Sequence, residues 1–190
     1  MEPITERAII PRTDLVGERV RMRPNREEFS ASLHAAAIES VETVGRWMPW
    51  CHADRKEDEG IAWLRKSHAG WDAGIEYEFT VFDHSDAYVG SGGLNQFNRV
   101  HNFANLGYWI RQSRQGRGLA VEVARLLAEF GFSVLGLTRI EIIVASENVR
   151  SRRVAEKAGA LYEGLARNRL VMHGAPIMAA VYALVPGADT

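Results

Sequence analysis

From Gly118 to Leu135 the apolar residues Leu119, Val123, Leu126, Leu127, Phe130 and Val134 fall at i, i+4, i+7, i+8, i+11 and i+15, which lines them along one stripe of an α-helix. The stretch "FANLGYWIRQ" before it reads as a strand, and "TRIEIIVAS" after it is a strand rich in β-branched residues. "ENVRSRRVAEKAGA" then reads as a short helix closed by Gly159, followed by strands near "LYEGLARNRLV" and "IMAAVYALV". A strand can return parallel to its predecessor only through a crossover, so this succession predicts one parallel pairing. Upstream, "YEFTVFD", the polar turn "HSDA" and "YVGSGGLNQF" read as a hairpin, in which Gly90, Gly92 and Gly93 signal a bulge or a close backbone approach.

The front of the chain adds a strand and two helices. "ERVRMRP" alternates and stops at Pro24. "NREEFSASLHAAAIES" is a helix pattern with Asn25 as N-cap and Glu28 three residues on. "RKEDEGIAWLRKSHAGWDAG" places Ile61, Leu64 and Trp71 at helical spacing and ends on Gly74 as the residue past the cap. The expected class is therefore α/β (α+β), a mixed, mostly antiparallel twisted sheet flanked by helices. A chain of 190 residues fits a single domain over 1–190, with its body from Val16 to Val185 and loose ends in the first dozen residues and in "VPGADT".

Charge and cysteine usage narrow the partners. A net charge of −1 gives no reason to expect nucleic acid or an anionic membrane. The single Cys51 excludes an internal disulfide and reads as a buried thiol rather than a nucleophile. "MEPITERAII" carries Glu2 and Glu6 with no long apolar stretch behind them, unlike a signal peptide, and nothing reaches the length of a membrane span, so the expected location is cytoplasmic. The six histidines are scattered without zinc spacing, so no metal is implied.

The turn "RQGRGLA" opens the stripe helix. A helix N-terminus leaves backbone N–H groups unpaired and its dipole favours negative charge, so a glycine turn there is a candidate phosphate cradle. Gly116 and Gly118 lack the Cβ atoms that would hold a phosphate off the backbone, and Arg114 and Arg117 can screen its charge. A Walker loop would need Gly-Lys-Ser/Thr, which "GRGLA" does not supply; a dinucleotide fingerprint would need a third glycine where Val121 stands. The bland alternative is a tight strand-to-helix turn with solvated arginines.

"QGRGLA" is similar to the Gln/Arg-x-x-Gly-x-Gly/Ala loop of the GNAT superfamily of acetyl-CoA-dependent N-acetyltransferases, and "SENVRSRRVAEKAGA" resembles that superfamily's Asn-x-x-Ser/Ala helix ending in Lys-x-Gly. "GRWMPWCH" and "LGYWI" resemble the Trp-x-Pro-Trp segment and Gly-Tyr-Trp strand of its Rim group of ribosomal-protein N-terminal acetyltransferases. The resemblance spans Val16 to Leu184 and is strongest from Leu106 to Gly159. It implies a sheet splayed where two central parallel strands separate, and acetyl-CoA as cosubstrate. Carried over, the backbone of Gln115, Gly116, Arg117, Gly118, Leu119 and Ala120 would bind the pyrophosphate. Trp109 and Ile110 would line the pantetheine arm and acetyl group, with one amide polarising the thioester carbonyl. Asn148 would orient pantetheine or the incoming amine. Many relatives carry a Tyr seven residues after that Asn; here it is Ala155, which leaves Ser151 as the expected general acid beside its plainer reading as a helix N-terminal serine. Arg153, in the run Arg150, Arg152, Arg153 and Lys157, either meets the CoA 3′-phosphate or belongs to a solvated helix face. Trp47, Trp50, His52 and Tyr108 are the expected acceptor-side residues, with core packing as the alternative for the tryptophans.

Two acids usual in the group are absent: Asn105 and Met178 stand in their places. Glu76, Glu78 and His52 remain as candidate bases acting through a water, beside the plainer reading of each as a structural or exposed group. An α-amine, with a pKa of about 7.7 to 8.0, needs far less help than a lysine at about 10.4, a difference of roughly 3 to 4 kcal/mol. The expected activity is therefore acetyl transfer to a primary amine, foremost a protein N-terminal α-amine. The alternatives are a small-molecule amine, or an acyl-CoA-binding protein without catalysis. Nothing in the sequence decides an oligomeric state.

Overall fold

The computed structural model describes residues 10–187. Its strands are β1 (Leu15–Val16), β2 (Val20–Pro24), β3 (Tyr77–Asp83), β4 (Tyr88–Asn98), β5 (Phe103–Ile110), β6 (Arg139–Ala145), β7 (Leu161–Met172) and β8 (Ala175–Leu184). They form one sheet in the order β1-β2-β3-β4-β5-β6-β8-β7. Helices α1 (Ser30–Glu39) and α2 (Glu57–Asp72) lie between β2 and β3, α3 (Leu119–Glu129) joins β5 to β6, and α4 (Val149–Ala158) comes after β6. The β5–β6 pair is parallel and the other neighbours are antiparallel, as the strand and helix succession predicts. No helix of the described residues is long and apolar enough to cross a membrane.

The parallel pair holds together for only three registers, Phe103↔Arg139, Ala104↔Ile140 and Asn105↔Glu141. Beyond Asn105, β5 stays paired with β4 while β6 stays paired with β8, so the sheet opens between them. This is the splay that the family resemblance implies.

Directly opposed residues of an antiparallel pair share a face. A Cβ on Gly92 would press on Val123 and Leu127 of α3, so Gly92 and its partner Tyr108 face α3, whereas Ser91 and Trp109 face the other way. The larger apolar cluster fills the α3 side around Leu119, Val123 and Leu127; the smaller packs Leu33, Ala36 and Leu64 of α1 and α2 against Phe82, Tyr88 and Trp109.

Three local expectations are corrected. The apolar stripe of α3 stops at Phe130: a five-residue π-turn over Phe130–Val134 rotates the chain away from the stripe and leaves Val134 50% exposed. Asn25 caps no helix, because α1 begins only after a 3₁₀ turn at Glu27–Phe29. Its buried amide donates to Ser67 Oγ and accepts from Thr80 Oγ1, both at 2.9 Å, so both ends are satisfied inside the core. Of the expected loose ends, residues 1–9 and 188–190 lie outside the described residues, but Ile10 accepts from Trp71 Nε1 and Arg12 pairs with Asp72 at 2.7 Å.

Candidate functional site

A cleft of about 910 Å³ opens at the splay. Tyr108, Trp109 and Ile110 line it from β5, the 112–120 segment and the start of α3 form one wall, the 147–153 segment at the start of α4 another, and the loop after α1, with Trp47 and Met48, a third. Two helix N-termini therefore point into one cavity, which concentrates partial positive charge there.

Hydrogen bonds hold the 111–115 part of the loop in place and leave the amides that follow it free. Gly116 and Gly118 take left-handed φ of 77° and 76°, a conformation costly for other residues, and a Cβ on Gly116 would meet no atom within 4 Å. The N–H groups of Gly116, Arg117, Gly118, Leu119 and Ala120 find no partner among the described residues. Gln115 donates to the Ile110 carbonyl at 2.9 Å and to Thr43 Oγ1 at 3.2 Å. Arg19 donates to the Arg117 carbonyl at 2.9 Å and pairs with Glu122 at 3.1 Å. Glu39 at the end of α1 accepts from Arg111 and, at 2.7 Å, from the Ser113 amide. The Arg111 guanidinium pulls its carboxyl down to about 2 against the opposing effect of burial. A row of unpaired amides on left-handed glycines at a helix N-terminus fits a pyrophosphate, so the cradle reading has structural support over the plain turn.

Across the cleft, Asn148 is the N-cap of α4: its Oδ1 accepts from the Ser151 amide at 3.1 Å. The Asn148 Nδ2 has no partner among the described residues and is the group left for a ligand. The Ser151 amide is thus spent on the cap, but its hydroxyl is not. Tyr108 OH lies 2.9 Å from Ser151 Oγ and also donates to the Ser151 carbonyl at 3.2 Å. Burial pushes the Tyr108 phenol up to about 12, so it stays protonated. Ala155 is fully buried in the core, and a phenol reaches the mouth of α4 from β5 instead. The sequence places Tyr108 on the acceptor side; its side chain stands on the α3 and α4 face, against Ser151. The missing cue was strand parity, which sends residues 108 and 109 to opposite faces.

The other expected residues divide. Gln115, Gly116, Gly118, Leu119, Ala120, Asn148 and Arg153 line the cleft with Trp47, Tyr108, Trp109 and Ile110, while Arg117 lies in the same loop and donates to the Ser113 carbonyl at 3.2 Å. Trp50 packs edge-on against Trp109 at 5.2 Å. His52 sits 3.7 Å from Glu59 of α2, both half exposed, and is not brought to the cleft. Arg150 reaches Gln115 Oε1 at 3.4 Å, whereas Arg152 is tied to Tyr182 OH at 3.0 Å, so the basic run splits between cleft and fold. Cys51 is buried with Sγ 3.2 Å from the Ala37 carbonyl, and burial raises its thiol pKa. Glu76 is half buried; Glu78 is buried at 9% exposure, and desolvation pushes its carboxyl up to about 7.

The acetyltransferase (GNAT) domain family matches residues 19–161. YdaF of Bacillus subtilis, a candidate ribosomal N-acetyltransferase, is 28% identical over 166 residues, 84% of this chain and 87% of its own. The structure of a candidate ribosomal-protein-serine acetyltransferase from Vibrio cholerae aligns with a TM-score of 0.80 at 29% identity, covering 93% of this chain and 99% of that one. RimL, the ribosomal L7/L12 α-N-protein acetyltransferase solved in complex with coenzyme A, shares the fold with a TM-score of 0.83 at 19% identity, covering 93% and 100%.

Proposed function

Since the chain belongs to the GNAT family and is an N-acetyltransferase similar to its Rim group, we propose that it acetylates a protein or peptide N-terminal α-amine, as a single acetyltransferase domain. Acetyl-CoA, when bound, supplies an acetyl group activated as a thioester. The amides of Gly116 to Ala120 hold the pyrophosphate, with Arg153 beside them for a further phosphate. Trp109 and Ile110 line the pantetheine arm, and Asn148 orients it through Nδ2. The Tyr108 and Ser151 hydroxyl pair holds a proton where the departing sulfur needs one.

The observation that carries the choice of acceptor is the make-up of the cleft wall. Trp47, Met48 and Trp109 stand beside Arg46 and Arg150, with Glu42 and Glu147 as the lining carboxylates, while Arg114 is paired with Asp83 at 3.1 Å and Arg153 is left for the phosphate. A polyamine carrying several ammonium groups finds little there to compensate its charge, whereas one α-amine on a peptide needs a single partner and loses its proton near neutral pH. Initial rates on a panel test this. Peptides with free N-termini are expected to exceed spermidine, and N-blocked peptides bearing lysine, by at least about tenfold in kcat/KM, the 1.4 kcal/mol scale of one good contact. Spermidine as the fastest acceptor would overturn the proposal.

A further inference from the structure

On the sheet face opposite Tyr108, three residues form a row across β3, β4 and β5: Glu78 is the partner of Gly93, and Gly93 is the partner of Gly107. The Glu78 carboxyl lies over Gly93, where a Cβ would collide with its Cδ and Oε2. A Cβ on Gly107 would meet nothing within 4 Å, so the sheet is bare there. Adjacent strands are about 4.8 Å apart, which puts the carboxylate at the border of that open space. Trp109, two residues on and on the same face, lines the cleft. Gly107 and Glu78 lie behind the residues that line the cleft, so a small group would have to pass Trp109, itself packed against Trp50, to reach them.

The carboxyl is positioned on one side and open on the other. Its Oε1 accepts from Asn95 Nδ2 at 3.0 Å, and Asn95 Oδ1 accepts from Asn105 Nδ2 at 3.0 Å. Oε2 makes no hydrogen bond among the described residues, and it is not sealed from solvent as the partnerless His34 Nδ1 and Arg55 Nε are. This amide chain ties Asn105 to a carboxyl two strands away.

We propose that the acceptor amine seats over Gly107 and that Glu78 is its proton acceptor. This rests on the acetyltransferase reading and adds the base. As the amine nitrogen bonds to the acyl carbon, the C–S bond breaks and its electron pair leaves on sulfur, which takes a proton from the Tyr108 and Ser151 pair, and the pair regains one from solvent. The nitrogen sheds one proton to the Glu78 carboxylate, which releases it to solvent. Donor and acceptor protons thus move on opposite faces of β5. The charged groups around Glu78 are Glu76, which raises its pKa, Lys66 of α2, which lowers it, and Glu141 of β6, beside Asn105 and paired with Arg139 at 3.0 Å. Burial outweighs them and sets the carboxyl near 7, suited to an α-amine.

The test joins a titration of the unliganded protein to turnover. With ¹³C-labelled glutamate, one carboxyl resonance is expected to titrate near pH 7 and to vanish in Glu78→Gln. That variant is expected to lose about 10²- to 10⁴-fold in kcat at pH 8 with acetyl-CoA affinity unchanged. Asn95→Ala removes a donor that favours the charged form, and should move both the resonance and the acidic limb of kcat to higher pH. Turnover of Glu78→Gln within threefold of wild type on the preferred amine, or no glutamate titrating above about 5, would overturn the inference. A preference for another amine with the Glu78 limb intact would instead count against the α-amine proposal alone.

Discussion

The two faces of β5 are held in different ways. On the α3 and α4 face, the groups offered to a ligand are main-chain amides from Gly116 to Ala120, on a loop clamped by Arg19 at the Arg117 carbonyl, by Thr43 at Gln115 and by Glu39 at Ser113. On the α1 and α2 face they are side chains, Glu78, Asn95 and Asn105, drawn from three strands and, among the described residues, hydrogen-bonded through their side chains to each other alone. The first arrangement depends on backbone conformation, which left-handed glycines at 116 and 118 supply. The second depends on the identity of three side chains, so a single substitution there changes the chemistry without moving the backbone.

The contrast breaks most visibly in stability against pH. A Glu78 carboxyl raised from an ordinary 4.5 to about 7 makes the native state bind more protons than the unfolded chain between those values. Stability therefore falls as pH rises through that window, and the loss is complete above it. The difference between wild type and Glu78→Gln should shift by about 3 kcal/mol between pH 4.5 and 8, or roughly 6–12 °C in Tm. A constant difference would mean that Glu78 titrates normally. On the other face, Tyr108→Phe and Ser151→Ala should each lower kcat about 100-fold with acetyl-CoA Kd within twofold, and the double variant should be no worse than the poorer single, because the pair acts as one unit. Additive losses would show separate roles. The smallest effect belongs to the clamp: Arg19→Ala removes one hydrogen bond to the loop and should weaken acetyl-CoA binding about fivefold, near 1 kcal/mol, leaving the acceptor KM unchanged.

Much of the donor half was legible because its signals are local. The glycines, the amphipathic stripe of α3 and Asn148 at the mouth of α4 are motifs of a few residues whose backbone consequences are direct. Strand parity could have moved Tyr108 to the α4 face, yet only the packing of α4 against α3 and the strands beyond the splay brings Ser151 to its phenol. The other face was legible only as a choice: Glu78 stood with Glu76 and His52 as a candidate base, and what sets it apart is a burial that depends on Gly93, Asn95, Asn105 and α2, none adjacent to it in sequence. Asn25 failed for the same reason, since a strong local cap signal lost to two buried partners, Ser67 and Thr80.

The central claim is that the amides from Gly116 to Ala120 bind the pyrophosphate of acetyl-CoA, and calorimetry on a pair of variants tests it most directly. Gly116 has open space where a side chain would go, and Asp and Asn both tolerate its left-handed backbone. Gly116→Asn changes bulk without charge, and Gly116→Asp adds a carboxylate inside the cradle. Acetyl-CoA should bind the wild type, bind Gly116→Asn within about tenfold, and bind Gly116→Asp at least another tenfold more weakly, the 1.4 kcal/mol expected for each such factor. Equal affinity of the two variants, or no binding to a folded wild type, would contradict the account.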